Sequence, residues 1–312
     1  MVPVRKPFTF DSMFAETTQK TPAGRACVTG DTIRTGLTIL GLRQGDSVLV
    51  HSSLSRFGHV EGGADAVIDA LLDILGRDGT LMMSAITTRP KFVTTCIDAA
   101  GKGLVAPVEA FEVEGTATYA GAIAETFRKR LGVKRSWHPT HSVSACGAGA
   151  EAIIADHESA AGPCGAGTPY TRICDLDRGF ILLLGVSHQS NTALHGMEEL
   201  ADLDYVLYPK WVRIPIRTPR GPVVVRTRVH NAFIARDLGV FEADYINGMA
   251  ETVTQIGDSF VRLVNAKKMR DITLPILQKA PLRMLTEKGV EAFHRMKETG
   301  DFTRDPFQTL AN

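Results

Sequence analysis

The sequence predicts an α/β fold, and three observations point to it. A strand, an amphipathic helix and a second strand follow one another over residues 47–84, a βαβ unit whose two strands pair in parallel. The apolar run Phe180-Ile-Leu-Leu-Leu-Gly-Val186 has the length and composition of a buried strand, and it leads through a polar loop into a helix whose opening turn carries His195. Further on, Trp211-Val-Arg-Ile-Pro-Ile-Arg217 and Val223-Val-Val-Arg-Thr-Arg-Val229 flank Thr218-Pro-Arg-Gly-Pro222 and read as a hairpin.

Residues 1–30 are mixed and turn-rich, and an N-terminal arm that lies on the surface or adds an edge element is expected there. Asp31-Thr32 reads as the N-cap of a short helix to Leu40, closed by Gly41. Ser47-Val-Leu-Val-His51 has strand character and empties into the loop 52–63. From Ala64 to Leu75, apolar residues at 66, 67, 70, 71, 74 and 75 recur with helical spacing, and Gly76-Arg-Asp-Gly79 ends that helix before the strand Thr80-Leu-Met-Met-Ser84. Residues 87–118 show little periodicity and hold Pro90, Gly101, Gly103, Pro107 and Gly115, so an irregular lid or substrate loop is expected. A helix at about 119–130, a loop over 132–142, a short strand and a helix near 149–157 follow. The tail from about 240 reads as mainly helical.

With 312 residues, 44% of them hydrophobic and 22% charged, the chain has the composition of a globular protein with a sizeable core. No apolar run approaches a membrane span and the first thirty residues lack a signal-peptide core, so a cytoplasmic protein without a membrane partner is expected. The five cysteines form no Cys-x-x-Cys pair and are expected to be reduced thiols. A net charge of +1 argues against a nucleic-acid partner. Charge is nevertheless segregated: 179–209 and 103–127 carry carboxylates and no Lys or Arg, whereas Arg128, Lys129, Arg130, Lys134 and Arg135 cluster. Such segments are either solvated faces or the walls of sites for a cationic and a phosphate-bearing ligand.

Candidate chemistry centres on Asn191-Thr-Ala-Leu-His195-Gly-Met-Glu198-Glu199-Leu-Ala-Asp202. At the start of a helix the free N–H groups lower a histidine's pKa, and carboxylates at i+3 and i+4 raise it. A neutral imidazole oriented by a carboxylate suits proton abstraction from an amine or hydroxyl; the alternative is a histidine making only a structural hydrogen bond. His138-Pro-Thr-His141 offers two imidazoles, but Pro139 favours a loop and no His-Glu-x-x-His occurs, so no metal is expected. A metal-dependent hydrolase using His138, His141 and His195 stands as the reading from another class. The loop His51-Ser-Ser-Leu-Ser-Arg-Phe-Gly58 leaves a strand's carboxyl end for a helix begun by Gly62-Gly63, a place where backbone approaches an extended ligand or a phosphate closely. P-loop, Gly-x-Gly-x-x-Gly and Gly-x-Ser-x-Gly fingerprints are absent from the sequence.

Taken in order, Gly45-Asp46 before Val48-Leu-Val-His51-Ser-Ser-Leu-Ser55, Gly58-x-Val60-Glu-Gly-Gly63-Ala, Gly79-Thr-Leu81, Thr118-Tyr-x-Gly121, Arg135-Ser-x-His138-Pro-x-x-Ser142, and Leu184-Gly-Val186 leading to Thr192-Ala-Leu-His195-x-x-Glu198 resemble the aminoglycoside 3-N-acetyltransferase family over roughly residues 31–290. The resemblance implies a single α/β domain over 31–312, built around a central mixed β-sheet flanked by helices and distinct from the GNAT fold. It implies acetyl-CoA as cosubstrate, a small-molecule amine as partner and direct transfer in a ternary complex, and it leaves a homodimer open. It also implies His195 as general base with Glu198 as its carboxylate, Thr192 as a candidate oxyanion donor, and coenzyme contacts from Ser52, Ser53, Leu54, Ser55, Arg135, Ser136, His138 and Ser142. Glu112, Glu199 and Asp202 are the carboxylates expected to hold an aminoglycoside's other ammonium groups. Where the family has Phe-Asp-Pro before Thr-Tyr, this chain reads Phe111-Glu112-Val113, so a different amine metabolite competes as acceptor.

Overall fold

The computed structural model describes Gly24, residues 27–88, 90–302 and 305–307. Most of the expected arm over 1–30 therefore lies outside the described residues. In chain order the elements are β1 (Cys27–Val28), α1 (Gly30–Ile39), β2 (Ser47–Ser52), β3 (His59–Val60), α2 (Gly63–Leu75), β4 (Thr80–Ser84), α3 (Pro90–Gly101), β5 (Phe111–Glu112), α4 (Ala122–Arg128), β6 (Lys134–Arg135), β7 (Val143–Gly147) and α5 (Ala150–Ile154). They continue with α6 (Pro169–Arg172), β8 (Gly179–Leu184), α7 (Ala193–Leu200), β9 (Val212–Thr218), β10 (Gly221–Thr227), α8 (Glu242–Asn247), β11 (Glu251–Ile256), β12 (Ser259–Asn265), α9 (Ala266–Lys279) and α10 (Glu287–Thr299).

A mixed seven-stranded sheet in the order β11-β12-β8-β2-β4-β7-β6 forms the middle layer. Its centre is parallel, with β2 between β8 and β4, and its flanks are antiparallel. Alternation along the central strands builds two cores. Val48, Val50, Leu81, Met83, Leu182 and Leu184 pack with Ile33 and Leu37 of α1, Val67 and Leu71 of α2 and Phe127 of α4. Leu49, Met82, Ile181 and Leu183 point the other way, against Tyr170 of α6, Leu194 and Met197 of α7 and Met269 of α9. The expected hairpin is β9 and β10, which with β5 makes a separate three-stranded sheet.

Three local expectations are corrected. The first helix is capped by Thr29, whose hydroxyl accepts from the Thr32 amide, and not by Asp31-Thr32. The segment expected to be wholly irregular contains α3, because Val93, Cys96, Ile97 and Ala100 recur at i, i+3, i+4 and i+7 and pack with Val212 and Ile214 of β9. The tail is not mainly helical throughout. β11 and β12 form a hairpin across Gly257 and Asp258, and β12 adds to β8, so this hairpin completes one flank of the main sheet.

Candidate active site

Because β2 and β8 are adjacent and parallel, their carboxyl ends open side by side, the usual place for a site in an α/β sheet. From β2 come His51 and the serine loop; the Ser53 amide donates to Leu184 O at 2.9 Å, tying that loop to the end of β8. Ser52, Ser53, Leu54 and Ser55 line a cavity of about 520 Å³ with Gly58, His59, Val60, Gly121 and Ala122. His51 is buried, and its Nε2 has no hydrogen-bond partner among the described residues. Burial, with His188 and His195 nearby, holds that imidazole neutral with a pKa of about 3.

From β8 the chain passes through a short turn into α7, which carries Thr192 at its N-cap and His195 in its first turn. His195 Nδ1 lies 2.7 Å from Glu198 Oε2, and Glu198 is fully buried. Arg236 Nε donates to both Glu198 oxygens at 2.8 and 3.0 Å. Burial alone would raise the Glu198 pKa, but the Arg236 charge and the His195 hydrogen bond reverse the shift and bring it to about 2. An ionised Glu198 accepts from Nδ1–H, which leaves His195 Nε2 as the lone-pair nitrogen. The His195 side chain is 22% exposed, so the pair has one buried and one accessible end.

Glu199 points elsewhere. Its Oε1 accepts from the Cys164 amide at 2.8 Å and lies 2.7 Å from His230 Nε2. Among the described residues no Lys or Arg pairs with it, and burial raises its pKa to about 8, so it is a carboxylic acid beside an imidazole that burial also keeps neutral. The loop around it depends on glycine: a Cβ on Gly162 would sit 2.1 Å from Glu199 Oε2, and one on Gly196 would sit 2.7 Å from Cys164 O. Asp202 is exposed and shares a 280 Å³ pocket with Glu199 and Asp204. Glu112 lies apart on β5, in an exposed ion pair with Arg217 at 2.9 Å.

The second set of expected coenzyme contacts is internal. Arg135 Nε donates to Ser142 Oγ at 2.9 Å, and its guanidinium also reaches Thr116 O and Ala85 O at 2.5 and 2.8 Å. Ser142 donates to Ala85 O at 2.8 Å, and Ser136 Oγ lies 2.9 Å from His157 Nδ1. His138 is fully buried, stacked on His157 with ring centroids 4.7 Å apart and with Nε2 3.2 Å from Thr227 Oγ1. The mostly buried Arg135 also lines a cavity of about 570 Å³ with Arg128, Lys129, Lys134 and Trp137, whereas Ser136, His138 and Ser142 present almost no surface. Nor do His138, His141 and His195 form a metal-binding trio; the group of potential ligands that converges among the described residues is His141, Cys164 and His230.

Arg236 and His230 complete the site without a signal in the sequence. They reach Glu198 and Glu199 from 38 and 31 residues away, across the irregular stretch after β10, and no local spacing marks them.

The model of the aminoglycoside 3-N-acetyltransferase family matches residues 49–278. The chain belongs to this family of acyltransferases. It is 37% identical over 179 residues to aminoglycoside N(3)-acetyltransferase VII of Streptomyces paromomycinus, an alignment covering 56% of this chain and 62% of that protein. Against aminoglycoside N(3)-acetyltransferase III of a Salmonella species it is 32% identical over 230 residues, covering 72% and 77% of the two chains. The solved structure of AAC-IIIb as a binary complex with CoASH superposes with a TM-score of 0.72 at 26% identity, covering 82% of this chain and 98% of that one. The mixed sheet with helices on both faces is thus the architecture of the aminoglycoside 3-N-acetyltransferases and not that of GNAT enzymes. Among the described residues, no helix is long and apolar enough to cross a membrane.

Proposed function

We propose that the protein is an acetyl-CoA-dependent N-acetyltransferase that acylates the 3-amino group of an aminoglycoside by direct transfer within a ternary complex. The observation that carries this reading is the His195–Glu198–Arg236 chain, whose partly exposed imidazole lies near His51, one residue before the serine loop. The lone pair of the neutral acceptor amine bonds to the thioester carbonyl carbon as His195 Nε2 takes a proton from that nitrogen. As the C–S bond breaks, the coenzyme thiolate leaves and receives the proton held by His195. Glu198 stays ionised and stabilises the imidazolium, while loop N–H groups or the Thr192 hydroxyl meet the oxyanion. Ser52, Ser53, Leu54 and Ser55 cradle the coenzyme. Ser136, His138 and Ser142 act on it only through the loops they brace.

Thiol release from acetyl-CoA by the purified chain, with a panel of aminoglycosides and simpler amines, tests the proposal. His195→Ala is expected to lower turnover by about 10²–10⁴-fold. Release that is indifferent to this substitution would overturn the assignment. One observation favours a second acceptor class: Glu112 is engaged with Arg217 and Glu199 is uncharged, so two of the three carboxylates expected to hold a polycation are otherwise occupied. Release with simple primary amines but with no aminoglycoside would favour that second reading.

A further inference from the structure

His141 precedes β7, Cys164 lies in the loop before α6, and His230 follows β10. One nitrogen of each ring and the thiol sulfur lie within 4.8 Å of one another. Around a tetrahedral zinc ion, with bonds of about 2.0–2.3 Å, neighbouring ligand atoms stand roughly 3.3–3.8 Å apart, so a contraction of at most about 1–1.5 Å closes this triangle on a metal. We propose that His141, Cys164 and His230 form a binding site for a borderline-soft divalent ion of the zinc class.

The surroundings support this beyond proximity. Each imidazole has one nitrogen held by a hydroxyl or carboxyl group: His141 Nδ1 is 3.0 Å from Thr140 Oγ1, and His230 Nε2 is 2.7 Å from Glu199 Oε1. A carboxyl or hydroxyl partner on the far nitrogen is how proteins commonly orient a metal-ligating histidine. Two imidazoles and a thiolate select zinc or cobalt over magnesium or calcium, which prefer oxygen. The ligands are also fixed by packing, since the ring of His141 meets that of His230 edge-on at 4.9 Å and Gly196 lets α7 close on the Cys164 carbonyl. His195 has its ring centroid 4.9 Å from that of His230, so the ion would lie within the candidate active site. Nothing in this site depends on acetyl transfer, and it is measured without it.

The test is titration of metal-stripped full-length protein with Co²⁺, followed by optical absorption, and with Zn²⁺, followed by calorimetry. One equivalent is expected to bind, with a thiolate-to-cobalt charge-transfer band. Cys164→Ser should abolish that band and weaken Zn²⁺ binding by more than about tenfold, and His141→Ala should weaken it comparably. His294→Ala, on the exposed face of α10, should leave both signals unchanged. The wild-type chain alone can overturn the proposal, by binding no stoichiometric Co²⁺ or by binding it without a thiolate band. Unchanged Zn²⁺ affinity in folded Cys164→Ser or His141→Ala protein would overturn it as well.

Discussion

Glu198 lies against the Arg236 guanidinium and the His195 ring, whereas Glu199, one residue further along α7, turns to the His230 ring and the Cys164 amide. Both carboxyls are withdrawn from water, so desolvation acts on both in the same direction. What separates them is the partner. A cation donating to both oxygens keeps Glu198 ionised, and its absence leaves Glu199 protonated. Helix α7 therefore presents a charged group on its catalytic side and a neutral hydrogen-bonding group on the other. Position relative to Arg236, and not residue type, decides which glutamate can serve a base.

The largest difference should appear in stability. Glu198→Ala leaves the mostly buried Arg236 without its counter-charge, and such a change costs about 3–5 kcal/mol. Glu199→Gln keeps a carbonyl for the Cys164 amide and should cost nearer 1 kcal/mol. Urea unfolding of both variants compares them, and equal costs would mean that both carboxyls are held in the same way. Activity should follow the same order: Glu198→Gln removes the acceptor charge that selects the His195 tautomer, so it should reduce turnover by a large part of the His195→Ala effect.

Dependence on pH sharpens the contrast because the two signs are opposite. The folded-state pKa of Glu198 is depressed from 4.5 to about 2, so its contribution is complete above 4.5 and is lost as pH falls toward 2. For Glu199 the folded value is raised from 4.5 to about 8, so its contribution is complete below 4.5 and drains away as pH rises through 8. The stability advantage of wild type over Glu199→Gln should shrink between pH 5 and pH 9, and that over Glu198→Gln should shrink between pH 5 and pH 2. Urea midpoints across those ranges provide the check; a Glu199→Gln gap that does not change up to pH 9 would show an ordinary carboxylate there.

The parts of this arrangement legible in the sequence are those built by short-range pattern. β2, α2, β4, β8 and α7 follow from alternation, helical spacing and glycine breaks, and with them comes the i,i+3 reach from His195 to Glu198. The spacing of Val93, Cys96, Ile97 and Ala100 is equally regular, but Pro90 and Gly101 at its ends and Gly103 beyond give the segment the composition of a loop. The β11–β12 hairpin was also legible, since Gly257-Asp258 joins two alternating runs. Other features depend on tertiary placement. The family resemblance implies Arg135 and His138 as coenzyme contacts, yet the loop that carries them folds inward and uses them on carbonyls and hydroxyls. Arg236 has no neighbour in sequence that announces Glu198.

Glu112 supplies the smallest expected effect and the clearest control. It is half exposed, its partner Arg217 more so, and exposed pairs of this kind contribute no more than about 1 kcal/mol. Glu112→Ala should therefore leave the urea midpoint nearly unchanged, and if the pair is only a surface contact of the small sheet, it should leave KM for every acceptor unchanged too. A rise in KM confined to polycationic acceptors, with kcat held, would mean that Arg217 gives up this carboxylate when substrate arrives. The contrast between Glu198 and Glu199 would then extend to a third glutamate, one whose partner is exchanged during binding instead of being fixed by the fold.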